Sequence, residues 1–224
     1  NTDANGIGDF YYAPPSGHLA LCSSNLPEPT ISPNQSTQAV DHFGTLTYSS
    51  DGNAVNIVSG GNDNNGNAIG GEIDFSPDWV WIKRRNNANN HQLFDTNRGQ
   101  KVLQSNETDD ESDYASFFEF LSSSNGFRLP ATSANMNANG GTYVAWNWKA
   151  NGGTTSSDSN GSITSTVQAN TTAGFSIVTY TSNGGDHTVG HGLGVAPKMF
   201  WLKDRDDTGS WYVYNENNGA NKYQ

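Results

Sequence analysis

Three oxygen-bearing side chains occupy alternate positions of one asparagine-rich loop: Asp63, Asn65 and Asn67. Carboxylate and amide oxygens at this spacing are typical of calcium loops, so calcium is the cofactor that the pattern allows. The loop lacks the distal bidentate glutamate of an EF-hand, and a similar cluster occurs at residues 3–9. In so asparagine-rich a chain, a solvated turn is the favoured interpretation. We predict no metal site, and these three residues are the candidates for calcium.

An acidic run at residues 105–113 could supply the paired carboxylates of a glycosidase. Its members are Glu107, Asp109, Asp110, Glu111 and Asp113. Glycoside hydrolysis needs two carboxylates that rigid elements hold across a sugar, one of them with a raised pKa. A flexible loop satisfies neither condition, and the run is typical of a solvated acidic face. The sequence therefore predicts no catalytic residues and a protein that is not an enzyme.

Two histidines, His187 and His191, have the four-residue spacing of a zinc pair on a helix. Such a pair binds zinc only when one helical face presents both rings. Gly190 and Gly192 flank the second histidine, and the neighbouring segments have the pattern of strands. We therefore predict no zinc site here.

Aromatic side chains could bind a sugar by stacking on its apolar face. Trp211 and Tyr212 lie near a predicted turn and are the candidates for contact with a glycan. The other tryptophans of strand-like segments are expected to pack in the core. They are Trp79, Trp81, Trp146, Trp148 and Trp201.

The composition indicates β structure in an acidic chain. Aromatic residues make up 11% and charged residues only 15% of the 224 positions, and Asn, Gly, Ser and Thr supply most of the polarity. Those residues favour turns and strands over helix.

A formal net charge of −11 argues against nucleic-acid binding, because phosphates attract a basic face. Cys22 has no disulfide partner within the sequence, and no apolar run is long enough to span a bilayer.

Two segments, led by Pro77 and Pro197, repeat one pattern: Pro, one residue, four apolar residues, Lys, one residue and Arg. Proline marks the start of a strand because it cannot donate to a sheet ladder. Pro197 follows Pro77 by 120 residues, and Phe175–Tyr180 follows Phe43–Tyr48 by 132. The difference falls in an Asn/Gly loop, where length changes are tolerated. The sequence therefore predicts one complete β unit and part of a second.

This repeat sets the predicted domain boundaries. Residues 9–22 predict two short strands around a Pro-Pro turn, which cannot hold a core of their own. These strands are therefore predicted to close a preceding domain. The boundaries are 1–29 for the closing strands, 30–42 for a connector, 43–150 for a complete repeat, 151–159 for a linker and 160–224 for a partial second repeat.

Several segments resemble structural proteins of tailed bacteriophages. Residues 10–29, which begin Phe-Tyr-Tyr-Ala-Pro-Pro-Ser-Gly-His-Leu, are similar to the final strands of SPRY-type domains in phage tail and virion proteins. The pieces Gly174–Thr181, Val189–Lys198 and Thr142–Ala150 resemble a repeat that follows SPRY-like domains there. The resemblance implies an all-β fold of tandem antiparallel β-sandwiches of concanavalin or jelly-roll type, the second one incomplete. It carries over no catalytic residues.

The resemblance implies a structural component of a phage particle, a tail fibre or external appendage protein that contributes to host-surface attachment. The expected partners are further copies of the chain, other virion proteins and a host-surface glycan, with no nucleic acid and no membrane span. The expected location is the virion, outside the cell. Two alternatives stay open: a carbohydrate-binding module or glycan-active enzyme of a secreted bacterial protein, and a capsid decoration protein.

Overall fold

The protein consists of strands and short 3-10 helices in the computed structural model, which describes residues 1–26 and 36–218. The all-β prediction is confirmed. The chain divides into two compact units, Asn1–Thr37 and Gln38–Gln224. Among the residues described, no helix has the length and apolar character that a membrane crossing requires. The strands are β1 Phe43–Ser50, β2 Val55–Val58, β3 Trp79–Arg84, β4 Gln92–Asp95, β5 Gly99–Leu103, β6 Ser112–Asp113, β7 Glu119–Phe120, β8 Gly126–Leu129, β9 Gly141–Trp148, β10 Ser156–Asp158, β11 Ser165–Asn170, β12 Phe175–Tyr180, β13 Met199–Leu202 and β14 Tyr212–Asn215. The 3-10 helices are Ser23–Asn25, Ala39–Asp41 and Glu216–Asn218.

The first unit is described at residues 1–26 and 36–37 and contains no strand there, so the prediction of two short strands within 9–22 is wrong. Local hydrogen bonds replace a strand ladder here. The buried carboxylate of Asp3 accepts the N–H of Ile7 at 2.9 Å and three further hydrogen bonds from this unit. Two short strands without further partners are at best marginally stable. Residues 27–35, which span the end of the segment 1–29 and the first part of the predicted connector 30–42, lie outside the described residues.

The larger sheet of the second unit has the strand order β1-β9-β3-β4-β5-β6. β9 runs antiparallel between β1 and β3, so that Trp148 is paired with Phe43 on one side and with Trp79 on the other. β3 and β4 form a local hairpin, whereas β9 joins strands that are distant in sequence.

A second sheet, β2-β8-β7, shares one apolar core with the larger sheet. β9 alternates buried and half-buried residues, so Tyr143 and Ala145 enter the core while Trp146 and Trp148 lie on the opposite face. This alternation places Trp146 and Trp148 on one face of the sheet. The core members from other strands include Leu46, Ile57, Val80, Ile82, Phe94 and Phe127.

The hairpin β13–β14 repeats the hairpin β3–β4 in the same register. Trp79 pairs with Asp95 in the first copy, and Met199 pairs with Asn215 at positions 120 residues later. β12 corresponds to β1 and forms one edge of a three-stranded sheet of order β10-β11-β12. The internal repeat of the sequence is therefore a repeat of strands, and in the two hairpins it is also a repeat of their pairing.

Part of the predicted linker 151–159 is held in place. Ser156–Asp158 forms strand β10, and Gly152 and Gly153 donate N–H groups to the buried carboxylate of Asp78 at 2.9 and 2.5 Å. Both glycines have positive φ, a conformation that side chains other than glycine rarely adopt. The predicted linker is thus held by hydrogen bonds, because a buried carboxylate needs donors and the chain here supplies them.

Replacing Asp78 with Ala is expected to lower the free energy of unfolding by about 3 kcal/mol, because the N–H groups of Ala150, Gly152 and Gly153 lose their acceptor. Urea denaturation followed by tryptophan fluorescence measures the change. Asp110→Ala, at an exposed site, is the control and is expected to change stability by less than about 0.5 kcal/mol. Equal effects of the two variants would contradict the anchoring role of Asp78.

Candidate functional site

The calcium candidate Asp63 is buried at the centre of its loop. Its Oδ2 accepts the N–H and the hydroxyl of Ser49 at 2.9 and 2.6 Å, and its Oδ1 accepts the N–H groups of Asn65 and Asn67 at 3.0 and 2.9 Å. Burial alone would raise the pKa of Asp63, but these hydrogen bonds outweigh it and lower the pKa. A cation would have to displace these donors. The three residues stay the candidates for calcium beside the prediction of no metal site.

The amide groups of Asn65 and Asn67 are oriented by the same loop. Each Nδ2 donates to Ser49 Oγ at 3.0 Å. Gly66, between them, has a φ of +80°, which closes the turn. The spacing of oxygen-bearing residues is thus used in a hydrogen-bonded turn around a carboxylate. Among the residues that the structure describes, no three His, Cys, Asp or Glu side chains are grouped to hold a metal ion.

The two glycan candidates point into different surroundings. Trp211 Nε1 donates to the carbonyl oxygen of Gln104 at 2.9 Å, and the indole ring packs 6.3 Å from that of Trp201. Tyr212, the next residue and the first of β14, is 47% exposed. Because neighbouring strand residues alternate in direction, the pair does not form one stacking surface. Glycan contact stays a prediction, and Tyr212 is the more accessible of the two.

The remaining strand tryptophans pack together on the face of the larger sheet opposite to the core. Between ring centroids, Trp79 lies 4.4 Å from Trp148, and Trp81 lies 5.2 Å from Trp146. All four are half-buried. The expected packing is therefore present, but in a second aromatic layer rather than in the main core. We name this layer the indole cluster, and it contains the rings of Phe43, Trp79, Trp81, Trp146, Trp148, Phe175, Trp201 and Trp211.

Side chains of the second repeat complete the indole cluster. Phe175 of β12 lies 5.8 Å from Trp79, and Trp201 of β13 lies 5.4 Å from Trp81, edge to face. Aromatic pairs in such arrangements contribute about 0.5–1.5 kcal/mol each beyond the area that they bury. The two repeats are thus joined by packed rings from strands of both.

Glu111 forms a second junction between the repeats. Its carboxylate contacts Arg98 at 3.2 Å, Lys101 at 3.1 Å and Arg205 at 2.9 Å. Arg98 also contacts Asp95 at 2.5 Å, and these five residues are named the ion cluster. The prediction of a solvated acidic face is wrong for Glu111, whose side chain is only 5% exposed. Its partner Arg205 is distant in sequence, so the acidic run alone gives no sign of the contact.

The charge state of Glu111 is set by its cationic partners. Burial alone would raise its pKa, but hydrogen bonds from Arg205 and Lys101 and the charge of Arg98 outweigh burial and bring the pKa to about 2. A glycosidase acid needs the opposite shift, a pKa raised toward neutrality. The arrangement can hold two segments of chain together, and it is unsuited to donating a proton.

Comparison with known families covers the part of the chain that contains both repeats. Residues 38–224 match the family described as "Domain of unknown function (DUF7483)", and Gln38 is also where the second compact unit begins. The chain belongs to this family. Comparisons with curated proteins and with solved structures gave no match. Within the DUF7483 region lie the indole cluster, the ion cluster and the Asp63 loop.

Replacing Glu111 with Gln is expected to lower the free energy of unfolding by about 3 kcal/mol at pH 7, because buried Arg98 loses one of its two carboxylate partners and Arg205 loses its own. A pKa that is lowered in the folded state adds stability above the unfolded value near 4.5, and this stability is lost as the pH falls toward 2. The gap in stability between wild type and variant is therefore expected to narrow below about pH 4.5. Urea denaturation at several pH values measures it.

The control for this experiment is Asp109→Asn, an exposed member of the same acidic run. It removes the same charge without breaking an ion pair, so its stability is expected to follow wild type at each pH. A Glu111→Gln variant with the wild-type pH profile would show that the ion cluster does not stabilise the fold.

Replacing Trp201 with Ala is expected to loosen the second repeat from the first, because it removes the ring that packs on Trp79 and Trp81. Truncating a half-buried tryptophan is expected to cost about 2 kcal/mol. Hydrogen exchange by mass spectrometry is expected to show faster exchange in β12 and β13 and unchanged exchange in β9. Met199→Ala, at an exposed site of the same strand, is the control. Equal acceleration in β9 would contradict a joint between the repeats.

Proposed function

We propose that this protein is a structural component of a bacteriophage particle, part of a tail fibre or other external appendage that contributes to host-surface attachment. Its partners in this proposal are further copies of the chain, other virion proteins and a glycan of the host surface, and its location is the outside of the virion. The protein acts as a scaffold rather than as an enzyme.

The sequence resemblance supports the kind of module that we propose. Two of the three segments that resemble phage repeats coincide with strand β9 and with strand β12, and the third, Val189–Lys198, comes just before β13. We propose that each repeat is a concanavalin-like sandwich, since two sheets of the first repeat share one core. The second repeat presents the same hairpin in the same register.

The observation that carries the proposal is the way in which the repeats are joined. The indole cluster and the ion cluster connect strands of both repeats through packed rings and charged hydrogen bonds. The segment between the repeats is anchored to Asp78. An appendage must transmit force along a series of modules. A packed joint between modules transmits force, whereas a flexible linker would stretch instead.

The charge state of Glu111 suits a structural ion pair better than the proton donor of a glycan-active enzyme. Its pKa of about 2 keeps the carboxylate ionised, as a structural ion pair requires. Attachment to a host glycan would use exposed side chains such as Tyr212 instead.

Antibodies raised against residues 38–224 test the proposal on particles purified from a lysate of the phage that encodes the chain. Gold-labelled antibody seen by electron microscopy is expected to decorate tail appendages. An unrelated antibody of the same class is the control. Label confined to the head would favour a capsid decoration protein. Antigen found only in the particle-free supernatant would overturn the virion proposal and favour a secreted carbohydrate-binding protein.

A further inference from the structure

Two histidines at the joint between the repeats contact an N–H donor through Nδ1. His42, just before β1, has its Nδ1 2.8 Å from Nδ2 of Asn170, the last residue of β11. His91, just before β4, has its Nδ1 2.7 Å from Nε1 of Trp81 in the indole cluster. The first contact joins the two repeats directly. The second holds the ring on which Trp201 of the second repeat packs.

The direction of the hydrogen bond at His42 is fixed by the other contacts of Asn170. The Oδ1 of Asn170 accepts the N–H of Ala173 at 3.0 Å, and its Nδ2 also donates to the carbonyl oxygen of Lys149 at 3.2 Å. Rotating the amide by half a turn would place donor against donor and acceptor against acceptor. Nδ2 is therefore the donor to His42, and Nδ1 of His42 carries no proton.

The hydrogen bond at His91 has only one possible direction. The indole Nε1 of Trp81 can donate and cannot accept, so Nδ1 of His91 is the acceptor. Both imidazoles are thus neutral, with their single ring proton on Nε2. A second proton would go to Nδ1, where it would face an N–H group. Protonation therefore breaks the hydrogen bond at both places.

The surroundings of both rings disfavour a positive charge. Burial is the largest cause of the lowered pKa of His42 and of His91. Lys149, after β9, lowers the pKa of His42 further, whereas the charge of Asp41 opposes this effect. Lys83 of β3 lowers the pKa of His91. Among the described residues, the buried Nε2 of His42 has no hydrogen-bond partner, so a cationic ring there would have no acceptor on either nitrogen.

We propose that His42 and His91 form an acid-sensitive switch, which holds the joint between the repeats closed near neutral pH and loosens it in mildly acidic solution. Protonation of His42 would release Asn170 and with it the end of β11. Protonation of His91 would release the indole of Trp81, against which Trp201 packs. This inference concerns the joint itself and does not depend on the proposed role in a phage particle.

The pH range of the switch follows from the lowered pKa values. A histidine whose pKa is lowered in the folded state adds stability above the unfolded value near 6.5, and this stability is lost as the pH falls toward the folded value. Glu111 has a pKa of about 2, so the ion cluster stays charged while the histidines titrate. The two effects on stability therefore occur in separate pH ranges.

Hydrogen exchange by mass spectrometry tests the switch at about pH 7.5 and about pH 5.5, with rates corrected for the intrinsic effect of pH. In wild type, protection of β11, β12 and β13 relative to β9 is expected to fall about tenfold between the two conditions. The double variant H42N/H91N keeps a side-chain oxygen to accept at each position but has no imidazole to protonate. Its relative protection is expected to stay constant.

The control is His18→Asn, which removes an exposed histidine of the first unit and is expected to behave as wild type. Constant relative protection in wild type would overturn the proposal. So would a double variant that loses protection as wild type does, because other groups would then cause the loosening.

Nitrogen-15 NMR of the imidazoles tests the same switch in wild type without any substitution, since the ring shifts distinguish the two neutral tautomers. Single variants at each position assign the signals. Both rings are expected to carry their proton on Nε2 near neutral pH and to gain the second proton over the range in which protection falls. A proton on Nδ1 of either ring at neutral pH would overturn the proposal, as would protonation of both rings with protection unchanged.

Discussion

The larger sheet carries apolar side chains on both of its faces, and both faces have to be shielded from water. One face packs against β2, β7 and β8 to form the main core. The other carries tryptophans, which the second repeat covers with Phe175 and Trp201. A sheet buried on one face only would leave these rings in water, at a cost of about 1.5–3 kcal/mol for each large side chain exposed. The position of the second repeat follows from this requirement.

Two buried carboxylates hold the chain segments around the indole cluster in place, each by a different kind of contact. Asp78 is surrounded by neutral N–H donors from the segment that follows β9, so its bonds set the path of the chain. Glu111 is surrounded by cations, one of which lies beyond β13. Buried ion pairs often add little net stability, but they penalise strongly any arrangement that leaves a charge alone. Their effect here is to select one arrangement of the repeats.

Much of this fold could be predicted from local signals in the sequence. The two proline-led segments gave the repeat with the correct offset for its hairpins. The missed features depend on distant partners. Nothing in the acidic run distinguishes Glu111 from its exposed neighbours, because Arg205 lies in the other repeat. Periodicity placed the tryptophans on strands but did not show which part of the chain would cover them. Residues 9–22 have a strand-like composition but no partner strand among the described residues.

The central place of β9 governs the order in which the sheet can form during synthesis. β1 pairs with β9, whose end Trp148 is opposite Phe43, so this sheet cannot close until β9 has left the ribosome. At about 5–20 residues per second, several seconds separate the emergence of the two strands. The hairpin β3–β4 can form in that interval, because its contacts are local, but its tryptophans have nothing to pack against. The chain is acidic, with a net charge of −11, so nascent chains repel one another. This repulsion opposes aggregation in the interval before β9 has been synthesised.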